Sequence, residues 1–542
     1  MVSLIKKIKH NRAYWYLVEC QRVNKKPRIV WQKYIGTADN LKTLLEQKAP
    51  ASVLSKSFGS VASLLSIADE LELENIIRTL IPDQNTSLPL GRHILLQAIH
   101  RFNEPTSKNS SISWYEKSIL SFLWGGHFSS PQTILNQFDK IVTPSAANLI
   151  PDIEEALCQK LLDKGIKPSI LVWDPTNFFT HIERGESLPQ KGHSKEKRFD
   201  KNIINLGLVV SQENIPLLHK VYEGNMPETK VISGVSEDMY QRLQKFNPNA
   251  NKIVFVFDKG NNSKDTIPLI RKRFNVVGSL KKNQLPKLFE VCESEFKDVY
   301  NTSQGHMIRG YRTKSHVFGD EYTIVLTFNP ASYEKQKKKT YESVEKIKKK
   351  LSEIENRFKN KKRGKKTTVK GISQEINGFL HKQYQALFSW DFDVESQKLS
   401  WSLKDSVVKE REKTFGKTVL FTDLHESTSE AIVRMYHSKS IIEDDFKTLK
   451  DRLLIPVKPI NHRLDHRIRV HVFICVLAMV LYRYLLWKVK DQGLTEKQVV
   501  DELRSMRLSF VKQEGGSVRK VMETMSSAQI KLYSTLNLGR FE

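Results

Sequence analysis

The run Lys252-Ile-Val-Phe-Val-Phe257 constrains the fold more than any other stretch of the chain. It is β-branched and aromatic, it does not alternate with polar residues, and it stops at Asp258. A strand of this kind has no face for water, so it predicts a central strand covered on both sides. Its neighbours agree. Ser169-Ile-Leu-Val-Trp173 stops at Asp174, Ile203–Val210 and Pro216–Tyr222 are two further strands, and Gly224-Asn225 closes the third. A helix fits Val231–Phe246, another lies near Ser263–Arg273, and Asn275–Ser279 is a strand again. Three strands, a helix, then strand and helix in alternation predict an α/β class: a mixed sheet with helices on its faces.

The chain has 542 residues, too many for one core, and roughly three or four domains are expected. Its 87 Lys+Arg against 60 Asp+Glu leave a net charge of +27. Such an excess points to a polyanion, with nucleic acid the default and a membrane surface the competitor. Cys20, Cys158, Cys292 and Cys475 are far apart, which argues against disulfides or cysteine zinc sites and fits a reducing cytosol. The first residues lack the apolar core of a secretory signal. The longest apolar run, Val472–Leu481, is broken by Tyr482 and Arg483. It reads as a buried helix rather than a membrane span, so no membrane partner is expected.

Six segments follow from the pattern. Residues 1–48 form a β unit with strands at Tyr14–Glu19 and Arg28–Ile35, and 49–165 form a helical domain assigned to DNA-end binding, with a helical scaffold as the plain alternative. Residues 166–284 are the first part of the core and 285–415 an insertion. In the insertion, Val344, Ile347, Leu351, Ile354 and Phe358 form a short seam suited to one antiparallel helix partner. Residues 335–370 carry 16 Lys/Arg against 4 Glu, densest at Lys361-Lys362-Arg363, a candidate phosphate-gripping arm or a solvated helix and loop. Residues 416–490 return to the core, and 491–542 read as two amphipathic helices, about Thr495–Val511 and Ser517–Leu536.

Chemistry concentrates in three places. Asp174 and Asp258 each end an apolar strand, and neighbouring strands are ~5 Å apart, so the two carboxylates can share a metal ion at the strand ends. The third place is Tyr436-His-Ser-Lys439-Ser-Ile-Ile-Glu443-Asp-Asp-Phe-Lys447-Thr-Leu-Lys450, which predicts one helix over Ser429–Leu453. At ~100° per residue, Tyr436, Lys439, Glu443, Lys447 and Lys450 share a narrow arc, with Met435, Ile442, Phe446, Leu449 and Leu453 on the core-facing arc beside it. Asp444 and Asp445 point elsewhere, so Glu443 is the candidate third acid. Three carboxylates without soft ligands favour two Mg²⁺ or Mn²⁺ ions and phosphoryl transfer. The plain alternatives are strand-end turns for the two Asp and a solvated face with a Glu443–Lys447 pair for the helix. His462 and His466 are spaced like a metal pair but lack a third ligand, and phosphate contact or capping fits them better.

Tyr436-x2-Lys439-x3-Glu443-x6-Lys450 resembles the Tyr-x2-Arg-x3-Glu-x6-Lys signature of DDE-class insertion-sequence transposases, with Lys439 in place of the usual Arg. The branch named for insertion sequence 1634, within the insertion sequence four group, is the most similar. Leu171-Val-Trp-Asp174-Pro-Thr176, Tyr222-Glu-Gly-Asn225, Phe255-Val-Phe-Asp258-Lys-Gly-Asn261 and the tract Arg463–His471 support the resemblance. It implies an RNase H-like core with Asp174, Asp258 and Glu443 as catalytic metal ligands, interrupted by a largely β insertion. It implies that Tyr436, Lys439 and Lys450 hold DNA, and Lys447, Lys361, Lys362, Arg363 and Arg467 are further DNA-contact candidates. It also implies cleavage at terminal inverted repeats, joining of 3′ ends to target DNA, a homodimer on double-stranded DNA, and a cytoplasmic, nucleoid-associated prokaryotic protein. An RNase H-fold nuclease without strand transfer and a non-catalytic DNA-binding derivative remain as alternatives.

Overall fold

In a computed structural model of the chain, residues 2–23, 26–45, 52–82, 88–125, 130–143, 148–302, 305–360, 366–512 and 517–542 are described. Contacts divide the chain into two units: Met1–Ser66, Ser113–Gly125 and Val489–Glu542 in one, Ile67–Ile112 and Gly126–Lys488 in the other. The first unit holds two small antiparallel sheets. One joins Val2–Lys9, Arg12–Val23 and Lys26–Gly36, so the N-terminal β unit has a strand before the two that the aromatic runs announce. The other places Arg507–Lys512 between Ser52–Ser57 and Val518–Met522. Here the two C-terminal helices expected from the sequence are corrected. Helices cover only Glu496–Ser505 and Ser527–Thr535, with the two strands between them. Phe510, Val511, Val518 and Val521 are the aromatic and β-branched residues that favour strands.

The second unit is built on a nine-stranded sheet. Its strands and covering helices run in the order β1 (Ile170–Thr180), β2 (Asn202–Ser211), β3 (Pro216–Glu223), α1 (Glu228–Gln244), β4 (Val254–Phe257), α2 (Thr266–Arg271) and β5 (Asn275–Leu280). Then come β6 (Lys297–Asn301), β7 (Met307–Val317), β8 (Asp320–Phe328), α3 (Pro330–Lys359) and β9 (Lys417–Thr422). The spatial order is β6-β7-β8-β9-β5-β4-β1-β2-β3. Strand β1 is antiparallel to β2 and β2 to β3, whereas β4 is parallel to β1 and β5 parallel to β4. All four residues of β4 are buried, as its unbroken apolar run requires. The Trp173 indole lies across the backbone of β2, and a Cβ at Gly207 would stand 2.0 Å from it, so only glycine fits there.

The sheet corrects two sequence-based boundaries. Strand β1 does not end at Asp174 but continues to Thr180, paired throughout with β2. Strands β6, β7 and β8 are not part of an insertion, because they extend the sheet through β9. What leaves the sheet lies between β8 and β9, and it is mostly helical rather than largely β: α3, helices Val369–Phe379, Lys382–Gln385 and Asp405–Glu412, and one hairpin, Phe388–Asp393 with Lys398–Leu403. The seam on α3 is buried as expected, but it meets Ile372 and Ile376 together with Phe392 and Leu399 of the hairpin, not a single helix. At the base, the Asn329 N–H donates to the Gly416 carbonyl (2.9 Å), and the Tyr333 and Tyr341 hydroxyls both donate to Glu412 (2.6 and 2.9 Å). Lys361, Lys362 and Arg363 lie outside the described residues.

The helix expected over Ser429–Leu453 is two helices, α4 (Ser429–His437) and α5 (Ser440–Lys450). The Ser438 hydroxyl turns back to the Met435 carbonyl (2.6 Å), a local hydrogen bond that competes with helix propagation. Leu453, expected on the apolar arc, is beyond α5 and 74% exposed. Helix α6 (Asp465–Val489) extends beyond both ends of the apolar run Val472–Leu481 that announces it. Over Asp465–Gln492 it is long and apolar enough to cross a membrane, yet 89% of its most apolar window is buried inside the fold. Within it, Arg483 donates to Asp445 of α5 (2.7 Å), and both side chains are buried. Removing one partner of such a pair leaves an uncompensated charge. Asp445→Ala is therefore expected to cost about 3–5 kcal/mol in urea unfolding. A loss of about 1 kcal/mol or less, the size of a surface pair, would mean that the pair does not hold α5 in place.

Candidate active site

The parallel register of β1 and β4 pairs Trp173 with Phe257. One step further along each strand come Asp174 and Asp258, so the two acids stand level on neighbouring strands. Asp258 is heavily supported. Its Oδ1 accepts hydrogen bonds from the Lys259 N–H (2.9 Å), the Ser279 hydroxyl (3.0 Å) and the Tyr436 hydroxyl (3.0 Å), with the Lys439 ammonium 3.4 Å away. Burial raises its pKa, but Lys439 and these hydrogen bonds outweigh burial and bring it to about 2. Asp174 is the reverse case. Burial, with the nearby carboxylates of Glu228 and Asp258, pushes its pKa up to about 7 against the pull of Lys195 and Lys439. Among the described residues no hydrogen bond reaches its carboxyl.

An ionised carboxylate stands here beside one that no hydrogen bond reaches, a pair of oxygen donors on neighbouring strands. Oxygen ligands without thiolate or imidazole suit a hard cation such as Mg²⁺ or Mn²⁺, so these residues fit the metal that the sequence implies. As they stand, no three Asp, Glu, His or Cys side chains among the described residues are close enough together to hold one. The structure brings Asp174 and Asp258 together; it does not gather Glu443 into a three-acid group. Glu443 is exposed on α5. It is nonetheless flanked by two lysines that reach the strands: Lys439, at the N-cap of α5, touches Asp258, and Lys450, in its last turn, donates to Thr176 on β1 (2.8 Å). At ~100° per residue the three lie within ~40° of one another.

The remaining predicted residues have varied surroundings. Tyr436 is buried, not on an open DNA face; its hydroxyl stands 2.9 Å from that of Ser279 beside Asp258 and accepts from Lys439 (3.1 Å). Lys447 is exposed and pairs with Asp444 (2.6 Å). Arg467 is committed to an internal fork with Asp139 (2.8 and 2.7 Å), and His466 shares that carboxylate (3.1 Å). His462 packs against His471 (5.8 Å between rings), not with His466 as a metal pair. Four nearby residues were missed by sequence reasoning: Ser279, Thr176, Lys195 and Glu228. Ser279 and Thr176 follow from strand register, and Glu228 opens α1 directly after Pro227, a recognisable helix start. Lys195 lies in irregular chain and has no local signal. The Tyr222 hydroxyl is also buried without a hydrogen-bond partner, with Glu228 and Asp174 nearby.

No family model matches this sequence, and no curated protein does. A solved structure that resembles part of the chain is described as a pre-cleavage Mos1 transpososome. The likeness is 12% identical, spans 36% of this chain and 60% of that one, and has a TM-score of 0.15, too low to carry an argument about fold or activity.

Asp174 has a consequence for stability. A carboxyl whose folded-state pKa lies above its unfolded value favours folding at low pH and loses that contribution as pH rises through the folded value. For Asp174 the window runs from 3.8 to about 7. Without divalent ions, Asp174→Asn is expected to unfold at higher temperature than the wild type at pH 8, with the difference shrinking towards pH 4. A difference that is constant across this range would mean that Asp174 ionises freely. Added Mg²⁺ at pH 8 is expected to raise the wild-type melting temperature and leave that of Asp174→Asn nearly unchanged.

Proposed function

We propose that the chain is a DDE-class DNA transposase that cleaves at the inverted-repeat ends of its element and transfers 3′ ends to target DNA. The observation that carries this reading is the level pairing of Asp174 with Asp258 on adjacent parallel strands, beside a helix whose Lys439, Glu443 and Lys450 have the signature spacing. The sheet supports it. Three antiparallel strands, a crossover helix and two parallel strands, in the spatial order β3-β2-β1-β4-β5, are the arrangement of an RNase H-like core. The net charge of +27 suits DNA as partner.

In this reading Asp174 and Asp258 would hold divalent ions, with Glu443 joining them on a movement of α5, and the ions would supply Lewis acidity at the phosphoryl group. Tyr436 and Ser279 orient the Asp258 carboxylate, and Lys439 keeps it ionised. Lys450 presents a positive charge beside β1 for a phosphate. The enzyme acts as a dimer on paired DNA ends, in the cytoplasm at the nucleoid. Asp174→Asn, Asp258→Asn and Glu443→Gln are each expected to reduce Mg²⁺-dependent cleavage of inverted-repeat DNA by at least about a hundredfold, while leaving DNA binding in EDTA within a few-fold of wild type. A variant that cuts at the wild-type rate removes that residue from the site. A 3′-hydroxyl end supplied with a target plasmid separates the reading from a nuclease, because only a transposase joins the two.

A further inference from the structure

Strand β1 continues past Asp174, and three lysines from different parts of the chain converge on that continuation. Lys195 donates to the carbonyl of Pro175 (2.5 Å), Lys450 donates to the Thr176 hydroxyl (2.8 Å), and the Lys458 ammonium stands over the Phe179 ring (4.2 Å). Residues 175 to 179 span ~13 Å of strand, so the three contacts are spread along it, two of them on consecutive residues. The charges act on one another: Lys450 feels Lys195 and Lys458 as repulsive neighbours and Glu196 and Asp174 as attractive ones. Grouping like charges this closely costs free energy in the free protein.

Lys195 is placed by built geometry, not by chance on a surface. Asn177 of β1 is buried; its Nδ2 donates to the His193 carbonyl (3.0 Å) and its Oδ1 accepts from the Lys195 N–H (2.9 Å). Ser194, also buried, accepts from the Arg198 N–H (3.0 Å). Two of the three lysines carry a resident carboxylate: Lys195 lies 3.4 Å from Glu228, and Lys458 lies 2.5 Å from Glu196. The Lys195 side chain remains 38% exposed, open to an incoming anion.

We propose that Lys195, Lys450 and Lys458 form a phosphate track along β1 that leads a DNA strand to Asp174, with Glu228 and Glu196 as resident counterions that the phosphates displace. The track rests on the DNA-processing reading above and adds Lys195 and Lys458 to it as positioning residues. Each contact neutralises one phosphate and releases its condensed cations, so it is read in the salt dependence of binding.

The experiment measures binding of the full chain to a short mixed-sequence duplex in EDTA across a range of KCl concentrations. Lys195→Met and Lys458→Met are each expected to make the slope of log K against log salt shallower by ~0.9, and Lys195→Arg is expected to retain the wild-type slope. Glu228→Gln is expected to tighten binding several-fold at low salt. If the wild type binds and both Met variants keep its slope, the track is wrong while the functional reading stands. If the wild type does not bind the duplex, the functional reading itself fails. Should Lys195→Met lose its cooperative unfolding transition, Glu228→Gln decides, because it keeps the lysine: tighter binding supports the track and unchanged binding overturns it.

Discussion

Two carboxylates on neighbouring parallel strands, one residue beyond a shared register, cannot both be ionised in a half-buried setting without positive charge nearby. The polar groups around the two strand ends answer that constraint. Lys439, Tyr436, Ser279 and the Lys259 amide all serve Asp258, while Asp174 is left with Lys195 as its strongest cationic neighbour. The asymmetry is chemically useful. Asp258 is held ionised by its neighbours and supplies the attraction for an arriving cation, while Asp174, raised by burial, releases its proton more readily once that cation is beside it.

The supports for this pair are themselves anchored by buried charge. Asp445 and Arg483 join α5 to α6, and Glu154 accepts from His219 on β3 and from Arg242 on α1 (2.5 and 3.3 Å). Breaking such groupings costs more than forming them gains, so they specify one arrangement more than they add stability. For α5 this matters because the helix is interrupted between His437 and Ser440. Its direction is then set by what it packs against, with Asp445 inward and Glu443 outward.

The sheet was legible where periodicity carries the information. The unbroken apolar run of β4, the strand–helix alternation around it and the turn at Gly224-Asn225 led to the order of β1 to β5. Failures came where local pattern is silent about partners. A hairpin of apolar strands reads the same whether it continues a sheet or sits in an insertion, so β6 to β8 were misplaced. A helical wheel assumes an unbroken helix, and a serine hydroxyl bonding its own turn defeats it. In the candidate site, Asp174 and Asp258 were readable because each follows an apolar run. Lys195 was not, because it is delivered by irregular chain fixed through Asn177, a contact that no spacing encodes. Arg467 looked like a DNA contact by charge alone, whereas Asp139 had already taken it.

Strands β8 and β9 are antiparallel neighbours whose ends meet as Phe328 opposite Lys417. Topologically, everything from Asn329 to Gly416 occupies the position of a simple hairpin turn. The segment brings its own apolar centre and is cinched at its root by Glu412. A module attached in this way can be exchanged, enlarged or lost in evolution while the strands on either side keep their register, which makes this corner of the scaffold a natural place for lineages to diverge.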